Sequence, residues 1–197
     1  MTYTPAALQR VAEGAAARRI DRARHKCFIS YHAADSDEVA QFLDQFGAEF
    51  IARTIGVSDD DEFIDSDDSD YVMSRIRSKY LGDSTVTIAL MGRCTWARRY
   101  VDWEIYSSLR SSASSSINGL IAIELPSVAG SARLQARVDD NVERDSDGKD
   151  LGYARWYAYP THQSSIRNWV EDAYRARVSR SYLIDNTRKR RRSSAQC

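Results

Sequence analysis

One carboxylate stands out by its surroundings. Glu104 lies in RRYVDWEIYSSL (residues 98–109), beside a stripe of Val101, Ile105 and Leu109 at helical spacing. It sits about 100° around the helix from Ile105, with Tyr100 one turn before it, Ser108 one turn after and Trp103 adjacent. A carboxylate placed this way is partly withdrawn from water, an arrangement common at active sites, where its charge can steady developing positive charge. The same spacing also suits an ordinary boundary glutamate paired with Arg98, Arg99 or solvent.

Two segments stand out near it. The first is FISYHAAD (residues 28–35), with Phe28, Ser30, Tyr31 and His32 at the end of a β-prone run. The second is GRCTW (residues 92–96), with Cys94 and Trp96, leading into the Glu104 helix. If both follow parallel strands, an α/β sheet brings them to its ligand-binding edge, because such sheets bind outside the carboxyl ends of their strands. His32 is equally a plain turn residue by type and place.

Other chemistries are disfavoured. The nine glycines never form GxGxxG or GxxxxGK[ST], and no GxSxG elbow occurs, which argues against an ordinary dinucleotide fold, a P-loop and an α/β-hydrolase. The acidic run DDDEFIDSDDSD (residues 59–70), counted from Asp65, meets Asp70 where a calcium loop needs Gly and Ile76 where it needs Glu. It is expected to be a solvated loop. The three histidines, His25, His32 and His162, are too dispersed for zinc, and no metal site is expected.

The elements that must position these residues alternate along the chain. Strands are expected at residues 26–31 (KCFISY), 49–57, 84–91 (STVTIALM), 119–125 (GLIAIEL) and 154–159. Helices are expected at 5–24 and after Asp35, where Asp35 and Glu38 form a capping-box pattern before Val39, Phe42, Leu43 and Phe46. Further helices are expected at 71–80, from Trp96 to about Ser112 with Thr95 as cap, and at 161–178 with Ile166, Trp169, Val170, Ala173 and Tyr174 on one face. Residues 127–152 read as a polar excursion loop. This order predicts a flavodoxin-like doubly wound parallel sheet flanked by helices.

Bulk properties are compatible with that. At 197 residues, 43% hydrophobic and 10% aromatic, the chain suits one domain with extensions: residues 1–25 helical, 26–180 the α/β domain, 181–197 a basic tail. Lys plus Arg equals Asp plus Glu at 28 each, but thirteen of the acids crowd residues 35–70. RKRRR (residues 188–192) reads as a solvated, disordered tail, so a nucleic-acid partner is disfavoured. Three cysteines without CxxC argue against a disulfide framework and suit a reducing compartment. The chain has neither an apolar stretch of membrane length nor a signal core, so a cytoplasmic protein without a membrane partner is expected.

KCFISYH with its following acid, together with STVTIALMGRCTWARRYVDWEI, resembles the TIR-like group that includes the TIR proteins of Thoeris anti-phage systems. The likeness covers residues 26–125. It implies that Glu104, four residues after the aromatic Tyr100, is the catalytic acid of an enzyme that cleaves nicotinamide from NAD⁺ as substrate, with no further cofactor. It also implies a ligand pocket with Phe28, Ser30, Tyr31, His32 and Cys94, where Trp96 or Tyr100 offers an aromatic surface. A cyclic ADP-ribose-type messenger acting on a separate effector, and self-association on activation, are the implied partnerships. The Arg–Asp…Pro–Gly docking signature of animal adaptor TIR domains is replaced here by VSDDDEFIDSDDSD, so adaptor-type partners are not carried over. A non-enzymatic TIR-like oligomerisation module stays open. A flavodoxin-like phospho-acceptor ranks last, since Tyr31 and His32 stand where it needs acids.

Overall fold

The computed structural model describes residues 3–16, 24–55, 69–111, 116–148 and 151–197. Five strands run parallel: β1 (Lys26–Ser30), β2 (Ile51–Ile55), β3 (Val86–Met91), β4 (Gly119–Glu124) and β5 (Arg155–Tyr157). Their order, β2-β1-β3-β4-β5, is that of a flavodoxin-like doubly wound sheet. In register, Ile29 faces Ile88, and Ile88 faces Ile121.

Alternation along each strand separates two apolar faces. Cys27, Ile29, Val86, Ile88 and Leu90 point towards α1 (Pro5–Ala16), α2 (Ser36–Phe46) and α6 (Gln163–Ser179), where they meet Leu8, Phe42, Leu43, Ile166 and Val170. Ala89, Met91, Leu120 and Ala122 point the other way, onto Val101 and Ile105 of α4 (Arg99–Ser108), Leu109 at its C-terminal cap and Val138 of α5 (Ala136–Asp139). On that side Phe28 also packs with Val72 of α3 (Ser69–Arg75) and Ile76 of the π-helical turn Ile76–Leu81 that continues it. The strands β3 and β4 are buried throughout, as the uncharged, β-branched run of β3 and the apolar residues of β4 require, and the one charged residue of β4, Glu124, accepts from the Gly130 amide at 2.9 Å. Among the described residues no helix is long and apolar enough to cross a membrane.

Several local expectations give way to tertiary contacts. Asp35 makes no side-chain cap on α2, because its carboxylate accepts instead from the Thr95 hydroxyl at 3.0 Å. Glu38 does not reach back to the cap either; it accepts from the Ser127 amide at 2.8 Å and the Ser127 hydroxyl at 2.6 Å. Thr95 in turn does not cap a helix starting at Trp96. Its oxygen accepts from the Gly92 amide at 3.0 Å, residues Thr95–Ala97 make a 3-10 turn, and extended Arg98 delays α4 to Arg99. The expected solvated loop at residues 59–70 lies largely outside the described residues, as do residues 17–23 of the expected first helix; the Glu104 helix ends at Ser108, short of the expected Ser112.

The polar excursion supplies the cation of a fully buried ion pair whose acid is on α4. Arg137 and Asp102 are both 0% exposed and paired at 3.0 Å through the Arg137 Nε. Asp102 also accepts from Gln135 at 2.9 Å and from the Arg191 amide at 2.8 Å. Arg137 donates onward to the Asn186 side chain and the Arg188 carbonyl, both at 2.9 Å. The expected free tail is therefore overturned: residues 185–191 lie against α4, held chiefly by backbone groups. The charges of the basic run do not oppose this, since Arg188 pairs with Asp140.

Two outcomes follow from these contacts. Arg137→Met strands a buried carboxylate and lowers the unfolding free energy by about 3–5 kcal/mol, whereas Asp102→Leu/Arg137→Met recovers much of that loss in urea denaturation. At Gly92 an added Cβ would overlap the Asp35 carboxyl group. Gly92→Ala is expected to cost about 1–3 kcal/mol, and much less in an Asp35→Ala background, as a double-mutant cycle would show.

Candidate functional site

The carboxyl ends of β1 and β3 are joined by one short relay. The Gly92 amide donates to Thr95, and the Thr95 hydroxyl donates to Asp35 beyond β1. Burial raises the Asp35 pKa above the usual carboxylate range, partly offset by the Thr95 hydrogen bond and the nearby His32 charge. This relay puts the two segments singled out by sequence side by side, and α4 begins directly after the second.

At that edge Ser30, the last residue of β1, points towards α4. Its hydroxyl donates to Glu104 Oε2 at 2.5 Å, and the contact is buried. Glu104 is 1% exposed. The stripe of Val101 and Ile105 seats α4 on the sheet, and this seating carries the neighbouring Glu104 inward rather than out to solvent. Tyr31 lies close by: burial first, then the Glu104 charge, pushes its phenol up to about 12. A charge-assisted hydrogen bond of this kind is stronger than a neutral one and fixes the carboxylate's direction.

The remaining expected residues divide. Phe28 is buried in a cluster with Trp103, against which Tyr100 packs edge-on with ring centroids 5.8 Å apart. Arg99 lies over both rings and donates to the Tyr100 hydroxyl at 2.7 Å. His32 is half-buried in the turn after β1, within electrostatic reach of Asp35. Trp96 packs against the separate α4–β4 cluster, its ring covered by the Arg133 guanidinium at 3.7 Å. Ser30 and Glu104 thus meet directly, Tyr31 packs in the core cluster towards α2 within electrostatic reach of Glu104, Phe28 and Tyr100 meet through Trp103, and Trp96 belongs to a neighbouring wall.

Cys94 corrects an expectation. It is disulfide-bonded to Cys197, with Cα atoms 5.5 Å apart across a sequence separation of 103, while Cys27 is free and buried. Neither count nor spacing could indicate the pair, because the fold alone returns residue 197 to the end of β3. Sequence also missed Asp102, Gln135 and Arg137. An acid in a helix's first turn reads as a surface residue favoured by the helix dipole, and nothing near it in sequence points to Arg137. Among the described residues no group of three or more His, Cys, Asp or Glu could hold a metal ion. An open groove of about 500 Å³ between α1 and α2, lined by Tyr3, Val11, Asp37, Ala40, Gln41 and Asp44, lies on the other face of the sheet.

The geometry can be set beside known proteins. A comparison with curated proteins finds no match. The family model described as Thoeris protein ThsB, TIR-like domain, matches residues 28–129, a span that includes Ser30, the Asp35–Thr95 relay and Glu104. That span is just over half of the 197 residues. On that match, and with a sheet of the expected order, the chain belongs to the TIR-like domain family of the Thoeris protein ThsB.

Proposed function

We propose that this TIR-like chain cleaves the bond between nicotinamide and ribose in NAD⁺, with Glu104 as the catalytic acid residue, in cytoplasmic anti-phage signalling. The observation that carries this reading is a sheltered carboxylate, aimed by Ser30, at the ligand-binding edge of a doubly wound sheet. Ordinary glycosidases need a second carboxyl group to protonate the leaving group. Nicotinamide departs as a neutral base, so one carboxylate suffices. Glu104 would hold the ribose hydroxyls and stabilise the oxocarbenium-like charge, an interaction that strengthens where water is excluded. Ser30 keeps the carboxylate oriented, and Phe28, Tyr31, His32 and Tyr100 supply the surrounding surface.

The next nucleophile decides the product. Water gives ADP-ribose. A hydroxyl or ring nitrogen of the same molecule gives a cyclic ADP-ribose-type messenger, which the family membership favours and which would reach a separate effector as a diffusible signal. Self-association on activation belongs to the same reading. NAD⁺ is substrate here, and no cofactor, membrane or nucleic-acid partner enters the scheme.

A non-enzymatic oligomerisation module is the competing reading, favoured by the near-complete burial of Glu104. The two separate on incubation of purified protein with NAD⁺ and mass spectrometry of the products. Glu104→Gln, which keeps the shape and removes the charge, should lower nicotinamide release by at least about a hundredfold with the fold intact. Ser30→Ala should lower it roughly tenfold, because the carboxylate loses its orienting donor. Equal release by wild type and Glu104→Gln would end the enzymatic reading.

A further inference from the structure

The sequence disfavours a nucleic-acid partner because RKRRR reads as a free tail, and the fold removes that ground. Residues 188–192 belong to a strap, residues 185–197, that lies along α4 and ends in the Cys94–Cys197 disulfide. Main-chain groups hold it there. Arg137 donates to the Arg188 carbonyl at 2.9 Å and to the Lys189 carbonyl at 3.5 Å. Asp102 accepts from the Arg191 amide, and Trp103 Nε1 donates to the Arg191 carbonyl at 2.9 Å. The buried Asp102–Arg137 pair thus fixes the position of a basic run whose Lys189 and Arg192 side chains stay exposed.

The helix face that receives the strap is itself cationic. Arg99, Trp103, Tyr106 and Arg110 recur at i, i+4, i+7 and i+11, turned away from the Val101–Ile105 stripe that seats α4 on the sheet. The Arg99 guanidinium lies 4.7 Å from the Tyr100 ring centroid and 5.1 Å from that of Trp103. Arg110, just past the helix end, lies 5.2 Å from the Tyr106 centroid and donates to its hydroxyl, and Arg190 of the strap lies 5.2 Å from the same ring. Rings and hydroxyls orient a guanidinium without cancelling its charge. The acids of these two segments leave that charge standing: Asp102 and Glu104 are buried, and Asp185 accepts from the Thr187 amide and hydroxyl.

We propose that this ridge of α4 and the strap binds a single strand of nucleic acid through its phosphates. The site is separate from the NAD⁺ scheme and does not depend on Glu104. Assembling like charges on one face works against their repulsion, and a polyanion reverses that cost by releasing its own counterions. Arginines laid on rings keep their N–H edges for paired hydrogen bonds to phosphate oxygens, with much of the ordering cost already met. At helical rise the ridge runs roughly 16 Å from Arg99 to Arg110, long enough to follow a strand rather than a lone anion. Half-buried Tyr100 and Tyr106 stand between the cations, the interleaving of ring and charge that suits unpaired bases. An anionic membrane fits less well. The exposed large apolar side chains among the described residues are Tyr3, Tyr71, Leu151, Tyr174, Val178 and Tyr182, so neither α4 nor the strap offers one to enter a bilayer.

The test is fluorescence anisotropy of the full chain with a labelled oligothymidylate of about 12 nucleotides, titrated over a range of salt. Arg99→Gln/Arg110→Gln should weaken binding about tenfold at roughly 50 mM salt. It should also lower the slope of log K against log salt by about 1.4, the share of two phosphate contacts to a single strand. Lys189→Gln/Arg192→Gln removes two exposed charges that hold nothing in the fold, and should do the same with unfolding in urea unchanged. Arg175→Gln, on α6 and 73% exposed, should leave binding at the wild-type level. Absence of binding by the wild type overturns the proposal, as does equal weakening by Arg175→Gln, which marks general attraction to any surface cation. Tighter binding to a duplex of the same length overturns the single-strand assignment. Capture by phosphatidylserine vesicles in place of the oligonucleotide assigns the ridge to lipid and overturns the nucleic-acid reading.

Discussion

Asp102 and Glu104, two residues apart on α4, are both withdrawn from water, and everything around them is arranged to make that tolerable. An unpaired carboxylate in a dry interior costs several kcal/mol or more, so each must find donors or be expelled. Two residues along a helix turn the side chain by about 200°, so the pair faces nearly opposite ways. Asp102 is met by Gln135, Arg137 and the Arg191 amide, and Glu104 by Ser30. The helix is clamped from both sides: to the excursion after β4 and the strap on one, to the end of β1 on the other.

The clamp gives the edge of the sheet its character. An apolar stripe alone would fix how α4 lies on β3 and β4, but would leave its rotation and sliding loosely specified. Two buried carboxylates with directional partners remove that freedom, because sliding by one residue would strand both charges. The Asp35–Thr95–Gly92 relay does the same for the loops ahead of the helix. The Glu104 carboxylate is thereby held in direction as well as in place, the property that the proposed stabilisation of a cationic sugar needs.

The basic run shows how backbone chemistry can outweigh side-chain charge. RKRRR reads as a solvated tail because five like charges repel and resist burial. Here the Arg188 side chain reaches Asp140 and that of Arg190 lies over the Tyr106 ring, while the main-chain groups satisfy Arg137, Asp102 and Trp103. A strap bound through its backbone is nearly invisible to a reading based on residue type.

The sequence by itself determined the layers. β-branched runs at KCFIS, VTIALM and GLIAIE and amphipathic stripes such as Val39, Phe42, Leu43 and Phe46 report burial through period, a local property, and their alternation implied the parallel sheet. It also brought Ser30 and Glu104 to one edge, since parallel strands and right-handed crossovers leave few other places for them. Tertiary structure alone decided the partners of polar groups. Asp35 chose Thr95 over its own helix, Asp102 found Arg137, and Cys94 met Cys197, because a hydrogen bond, ion pair or disulfide depends on which atoms the finished fold brings within a few ångströms, and no spacing along the chain encodes that.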